Sequence, residues 1–131
     1  MGRPAPPGLT FDSGALLAFE ARDRRMDVLV QRARDLRRPM VIPTGVLAQV
    51  WRGRGPRQAR LAALVNSPWV TIQDLTRARA RVIGELCGRS GTSDVVDASV
   101  VVAAWTNGRV VVTSDPDDIR RLDASLTVVS V

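Results

Sequence analysis

The chain has 131 residues, 45% apolar and 24% charged, a balance that suits one globular domain with a single core and excludes disordered and fibrous classes. Its formal charge of +6 is carried by 19 arginines, with no histidine and no lysine, which excludes Ser-His-Asp and Cys-His catalysis, His-bearing zinc sites, Schiff-base chemistry and the P-loop. Any chemistry must run on carboxylates, amides, hydroxyls and arginine, and the single cysteine, Cys87, reads as a small buried hydrophobe.

Residues 1–7 are Pro-rich and read as a flexible tail with no apolar stretch of signal-peptide length behind it. Gly8 to Phe11 leads into Asp12 and Ser13, and the run Gly14 to Phe19 reads as a short strand opening onto a helix. A second helix spans Asp23 to Arg37, with Met26, Leu29, Val30, Ala33 and Leu36 spaced along one apolar face. Met40 to Ile42 is a brief apolar strand, after which Pro43 and Thr44 start a helix over Gly45 to Arg52. A loop at Gly53 to Arg57 precedes a helix over Gln58 to Val65. Trp69 to Ile72 is a short segment, followed by a helix over Thr76 to Leu86 that turns Val82, Ile83 and Leu86 inward, and by a turn at Gly88 to Gly91. Asp94 begins an apolar helix that ends near Asn107-Gly108. Val110 to Thr113 is a buried strand, Asp115-Pro116 starts a helix to Leu122, and Leu126 to Val131 is the final strand. The longest apolar run, Ala98 to Trp105, is far shorter than the ~20 residues of a membrane span, so a cytoplasmic protein without membrane association is expected.

Strands that are continuous apolar runs, alternating with helices, indicate an α/β three-layer sandwich: a mostly parallel sheet of about five strands covered by helices. In such sheets the ligand crevice lies beyond the carboxyl ends of the strands, and acids stand there. Asp12 follows the first strand and Asp115 follows the Val110 to Thr113 strand, so neighbouring parallel strands would bring the two carboxylates together. Asp94 and Asp97 lie one turn apart on one face of the apolar helix. Carboxylates clustered without lysine repel one another unless a divalent cation neutralises them, and hard oxygen ligands suit Mg²⁺ or Mn²⁺. Each acid has a second reading as a helix cap. Asp12 suits the first helix, Asp94 and Asp97 form a capping box, and Asp115 precedes proline at the first helical position, with Asp117 and Asp118 complementing the positive helix end. The arginine-borne charge adds weight to a nucleic-acid or acidic protein partner.

Four segments resemble a known family: Leu9-Thr10-Phe11-Asp12-Ser13-Gly14-Ala15, the run Pro43 to Arg52, Asp94-Val95-Val96-Asp97-Ala98-Ser99, and Thr113-Ser114-Asp115-Pro116-Asp117-Asp118. In this order and spacing they look like PIN domains, specifically the toxins of VapBC toxin–antitoxin modules, over essentially the whole chain. The resemblance implies a single PIN-like domain over 1–131 and a Mg²⁺- or Mn²⁺-dependent endoribonuclease. Such a protein forms homodimers and is held inactive by a VapB-type antitoxin.

The family acids fall on Asp12, on Asp97 with Asp94 as neighbour, and on Asp115, which the resemblance implies anchor the metal directly or through water. The remaining family acid, normally glutamate, falls on Gln49. A glutamine keeps a carbonyl oxygen but loses a charge and cannot act as a base. Asp94 is then a replacement carboxylate, and a weakened module that binds RNA or antitoxin without efficient cleavage is the alternative function. Ser13 and Ser114 are either supports for water at the metal or local hydroxyl caps. Arg52, Arg54 and Arg57 either position RNA phosphates or form a solvated loop. Trp51 is the candidate antitoxin or dimer contact, Trp105 is assigned to the core, and Glu20 and Glu85 to helix surfaces.

Overall fold

The computed structural model describes residues 6–131, so most of the expected tail over residues 1–7 lies outside the described residues. Pro7, at its end, is tied to the domain: its carbonyl accepts the Arg38 guanidinium at 2.7 Å. Gly108, at φ +90°, lies so close to Pro7 that a Cβ there would come within 2.8 Å of the proline ring.

The elements run β1 (Leu9–Phe11), α1 (Ser13–Glu20), α2 (Arg24–Asp35), β2 (Met40–Pro43), α3 (Thr44–Val50), α4 (Pro56–Val65) and β3 (Val70–Gln73). They continue with α5 (Arg77–Ser90), α6 (Val95–Trp105), β4 (Val110–Thr113), α7 (Pro116–Leu122) and β5 (Thr127–Ser130). The strands form one sheet in the order β3-β2-β1-β4-β5, and every neighbouring pair is parallel. β1, β2 and β4 are buried along their whole length, as their largely apolar sequences require, with Thr10 and Thr113 the polar residues among them. Helix α6 is apolar nearly all round and buries Ala98, Val100, Val101, Ala103 and Ala104, packing across β1, β2 and β4.

This order places the topological switch between β1 and β4: the chain winds one way from β1 to β3 and the other way through β4 and β5. A crevice opens where crossovers leave a sheet in opposite directions, beyond the strand carboxyl ends. Register pairs Thr10 with Val111 and Phe11 with Val112, so Asp12 and the residues after Thr113 leave the sheet side by side.

Several sequence expectations need correction. Gly14 to Phe19 is helical from its first residue, because Asp12 caps the turn and strand pairing ends at Phe11. Leu36 is 59% exposed because α2 stops at Asp35, leaving Leu36 as the capping residue off the buried face. Val82 is also exposed, while Ile83 and Leu86 are buried as expected. α5 runs through Gly88 to Ser90 and stops at Gly91, whose φ of +70° supplies the left-handed cap that glycine tolerates. α4 starts two residues early, at Pro56, where a ring with fixed φ and no N–H suits the first turn. Trp105 is only partly buried, packing on the core while its indole N–H reaches Asp123 Oδ2 at 2.7 Å.

Candidate functional site

Asp12 stands where β1 ends and α1 begins, and it is buried. Its Oδ1 accepts the Ala15 N–H at 2.8 Å, and its Oδ2 accepts the Thr113 hydroxyl from the end of β4. Helix capping and site membership are therefore combined in one side chain. Burial pushes the Asp12 carboxyl above its ordinary value; hydrogen bonds from Thr113 and Ala15 oppose the shift, and the Asp115 charge adds to it. The same Thr113 hydroxyl accepts the Asp115 N–H at 2.8 Å, so one buried side chain sets both carboxylate positions.

A close approach holds these junctions together. A Cβ on Gly14 would lie 1.8 Å from Ser114 Oγ and 2.8 Å from Ser114 Cβ, so only glycine lets α1 lie against the β4–α7 turn. Ser114 is exposed beside that contact, and Ser13 turns to the other side, where its hydroxyl donates to Gln49 Oε1 at the end of α3.

Asp97 faces the same region from the first turn of α6. Its pKa is raised from 3.8 to about 6, first by burial and then by the charges of Asp94, Asp118 and Asp12. Asp94 has turned to cap its own helix: its Oδ1 accepts the Asp97 N–H at 3.0 Å, and its own N–H donates to Thr92 Oγ1 at 3.1 Å. Its charge still reaches Asp97, although its carboxylate is committed to the helix end. Asp115 occupies the cap position of α7, yet its side chain makes no capping bond. It engages Asp118 instead, and that hydrogen bond together with the Asp115 charge raises the Asp118 carboxyl.

Asp118 is the site residue that sequence reading missed. Its separation of three from Asp115 repeats that of Asp94 and Asp97, a visible signal that a reading as helix-end charge conceals. Asp94, Asp97 and Asp118 line a cavity of about 270 Å³ with Thr92, Arg121 and Leu122. Arg121 reaches Asp118 Oδ1 at 3.3 Å.

A second crevice, of about 470 Å³, begins at Gln49 and runs past Leu17 and Glu20 to Arg52, Arg54 and Arg57. The loop that carries two of these arginines is held by buried Gln58. Its Oε1 accepts the N–H groups of Arg52 at 2.8 Å and Gly53 at 3.0 Å, and its Nε2 donates to Glu20 at 3.1 Å. Glu20 is thus half-buried and bonded rather than a free surface acid. The Arg52 guanidinium closes the end of α3 on the carbonyls of Trp51, at 2.8 Å, and Ala48, at 3.4 Å. Arg54 and Arg57 are exposed, and Trp51, 39% exposed, borders a separate shallow groove with Leu47, Ala48, Val65 and Ile72.

Among the described residues no three Asp, Glu or Cys side chains are grouped closely enough to hold a metal ion directly. The donors are carboxylate oxygens, and the charges that act most strongly on Asp97, those of Asp94, Asp118 and Asp12, are negative. This set fits a hard divalent cation of the Mg²⁺ type, which keeps several waters and takes only one or two carboxylates.

No protein family matches the sequence, and no curated protein does. Among solved structures, the chain is similar over 94% of its length, and 98% of the other chain's, to a chain in the crystal structure of VapBC2 from Rickettsia felis bound to a DNA fragment from its promoter. The TM-score is 0.66 and the identity 13%. At that identity the likeness is one of fold, and the fold is the PIN-like α/β sandwich with a five-stranded parallel sheet. Among the described residues no helix is long and apolar enough to cross a membrane.

Proposed function

We propose that the chain is a divalent-metal-dependent endoribonuclease of the VapC toxin type, hydrolysing RNA phosphodiester bonds and neutralised by a VapB-type antitoxin. The observation that carries this reading is the gathering of Asp12, Asp97, Asp115 and Asp118 around the switch between β1 and β4, where burial, and then like charge, raise Asp97 to about 6. Carboxylates so crowded cost stability unless their charge is used.

Asp12, Asp97 and Asp115 would hold Mg²⁺ or Mn²⁺, at most two of them directly and the rest through metal-bound water, with Asp118 adding charge and Asp94 acting through the field rather than as a ligand. Such an ion supplies Lewis acidity at the scissile phosphate and acidifies water. Thr113 fixes the Asp12 carboxylate, Gly14 keeps α1 against Ser114, and the Arg54 and Arg57 side chains attract the phosphate backbone. The likeness of fold to a chain of the VapBC2 complex supports an antitoxin partner, and exposed Trp51 is the contact we assign to it or to a second copy in a homodimer.

Cleavage of defined RNAs with Mn²⁺, Mg²⁺ or EDTA, comparing wild type with Asp12→Asn, tests the reading. Metal-dependent cleavage lost in the variant supports it; cleavage that survives the substitution belongs to a contaminating nuclease. A second reading, a module that binds RNA or antitoxin with little cleavage, is favoured by Gln49 and by the turn of Asp94 onto its own helix. RNA binding without cleavage at any metal concentration would select it.

A further inference from the structure

We infer that Gln49 contacts substrate, presenting its amide Nε2 to a backbone phosphate of single-stranded RNA that runs along the arginine-lined groove between α1 and the α3–α4 loop. The inference rests on the nucleic-acid reading above and concerns how that site receives its ligand.

A carboxamide carries one acceptor oxygen and two N–H donors. The Ser13 hydroxyl donates to Oε1 of Gln49, which orients the carboxamide and leaves Nε2 as the unpartnered end. Among the described residues Nε2 makes no hydrogen bond, and Gln49 is exposed at the head of the groove. The free group is thus a donor, and the ligand that fits a donor is an anionic oxygen.

The groove has the matching charge. Arg52, Arg54 and Arg57 line it against one carboxylate, Glu20, which already accepts the Gln58 amide. Ser13 follows Asp12 in the chain and is the first residue of α1, so Gln49 joins the groove to the β1–α1 junction that carries Asp12, and a strand with one phosphate on Nε2 would meet the arginines with the next. A neutral amide suits this boundary. A carboxylate there would repel the phosphate, and an arginine would pair with the site acids.

Fluorescence anisotropy with a fluorescein-labelled oligouridine in EDTA tests this, since neither cleavage nor a metal bridge then contributes. Gln49→Met keeps length and helix propensity but removes the donors, and should weaken binding about tenfold, with Gln49→Glu weaker still. Ser13→Ala frees the carboxamide to rotate and should weaken binding about threefold. Because Gln49 is neutral, Gln49→Met should leave the salt dependence unchanged, whereas Arg57→Ala should lower the slope by roughly 0.7.

Wild-type affinity in both Gln49 variants overturns the inference, as does tighter binding by Gln49→Glu. Preference for an oligoglutamate peptide through the same residues also overturns it, assigning the groove to an acidic protein segment. The two proposals fail separately. A Gln49 effect on RNA binding with no Asp12-dependent cleavage refutes the nuclease reading alone, and Asp12-dependent cleavage with no Gln49 effect on binding refutes the phosphate contact alone.

Discussion

The Thr113 hydroxyl donates to Oδ2 of Asp12 from the neighbouring parallel strand while it accepts the Asp115 N–H at 2.8 Å. Replacing it with the isosteric Thr113→Val leaves a buried carboxylate without its donor and an N–H without its acceptor, at a cost of about 1–3 kcal/mol in denaturant unfolding. The Asp12 carboxyl should titrate higher still by NMR, and Thr113→Ser should restore both. Wild-type stability and titration in Thr113→Val would remove Thr113 from the site.

Gly14 and Ser114 form a second pair with a definite expectation. In Gly14→Ala the new methyl must displace Ser114, whose Cβ lies 2.8 Å from it, so overpacking should cost about 1–3 kcal/mol and separate α1 from α7. Ser114→Gly in the same chain opens the space and should recover most of the loss. Additive effects in the double variant would show that the two residues do not meet.

The pH dependence of the metal-free protein has a fixed sign at Asp97. Its carboxyl titrates at about 6 when folded and at an ordinary 3.8 when unfolded, so the folded state binds more protons between those values. The Asp97 contribution to stability is therefore fully present below about pH 4 and lost as pH rises through 6. Asp97→Asn should flatten that limb of the unfolding profile, and saturating Mn²⁺ should do the same for wild type. A wild-type profile that rises from pH 4 to 6 and is unchanged by Asp97→Asn contradicts the crowding of charge.

Asp94 is expected to behave as a cap. Asp94→Ser retains an oxygen acceptor for the Asp97 N–H and should hold thermal stability near wild type, while Asp94→Ala should cost about 1 kcal/mol. In Mn²⁺ titration calorimetry, Asp12→Asn and Asp97→Asn should each abolish binding, whereas Asp94→Ser should only weaken it. Abolished binding in Asp94→Ser would restore Asp94 as the carboxylate that stands in for the missing glutamate.

What the sequence determined here is local. The β-branched apolar run Val110 to Val112, bounded by Gly108 and Asp115-Pro116, marks a strand buried on both faces, and Asp94 followed by an apolar stretch marks a helix start, because these signals act over a few residues of chain. Asp12, Asp97 and Asp115 were legible as junction acids for the same reason. Which junctions meet depends on strand order, and nothing short-ranged says that β1 lies between β2 and β4; that follows from how apolar α6 and the crossovers cover the sheet. Tertiary structure therefore brought Asp118 into the site, decided between the two readings of Asp94 in favour of the helix cap, and joined Gln49 to Ser13. A side chain with several partners in reach adopts the set that leaves fewest buried groups unpaired, and that set exists only once distant segments have packed.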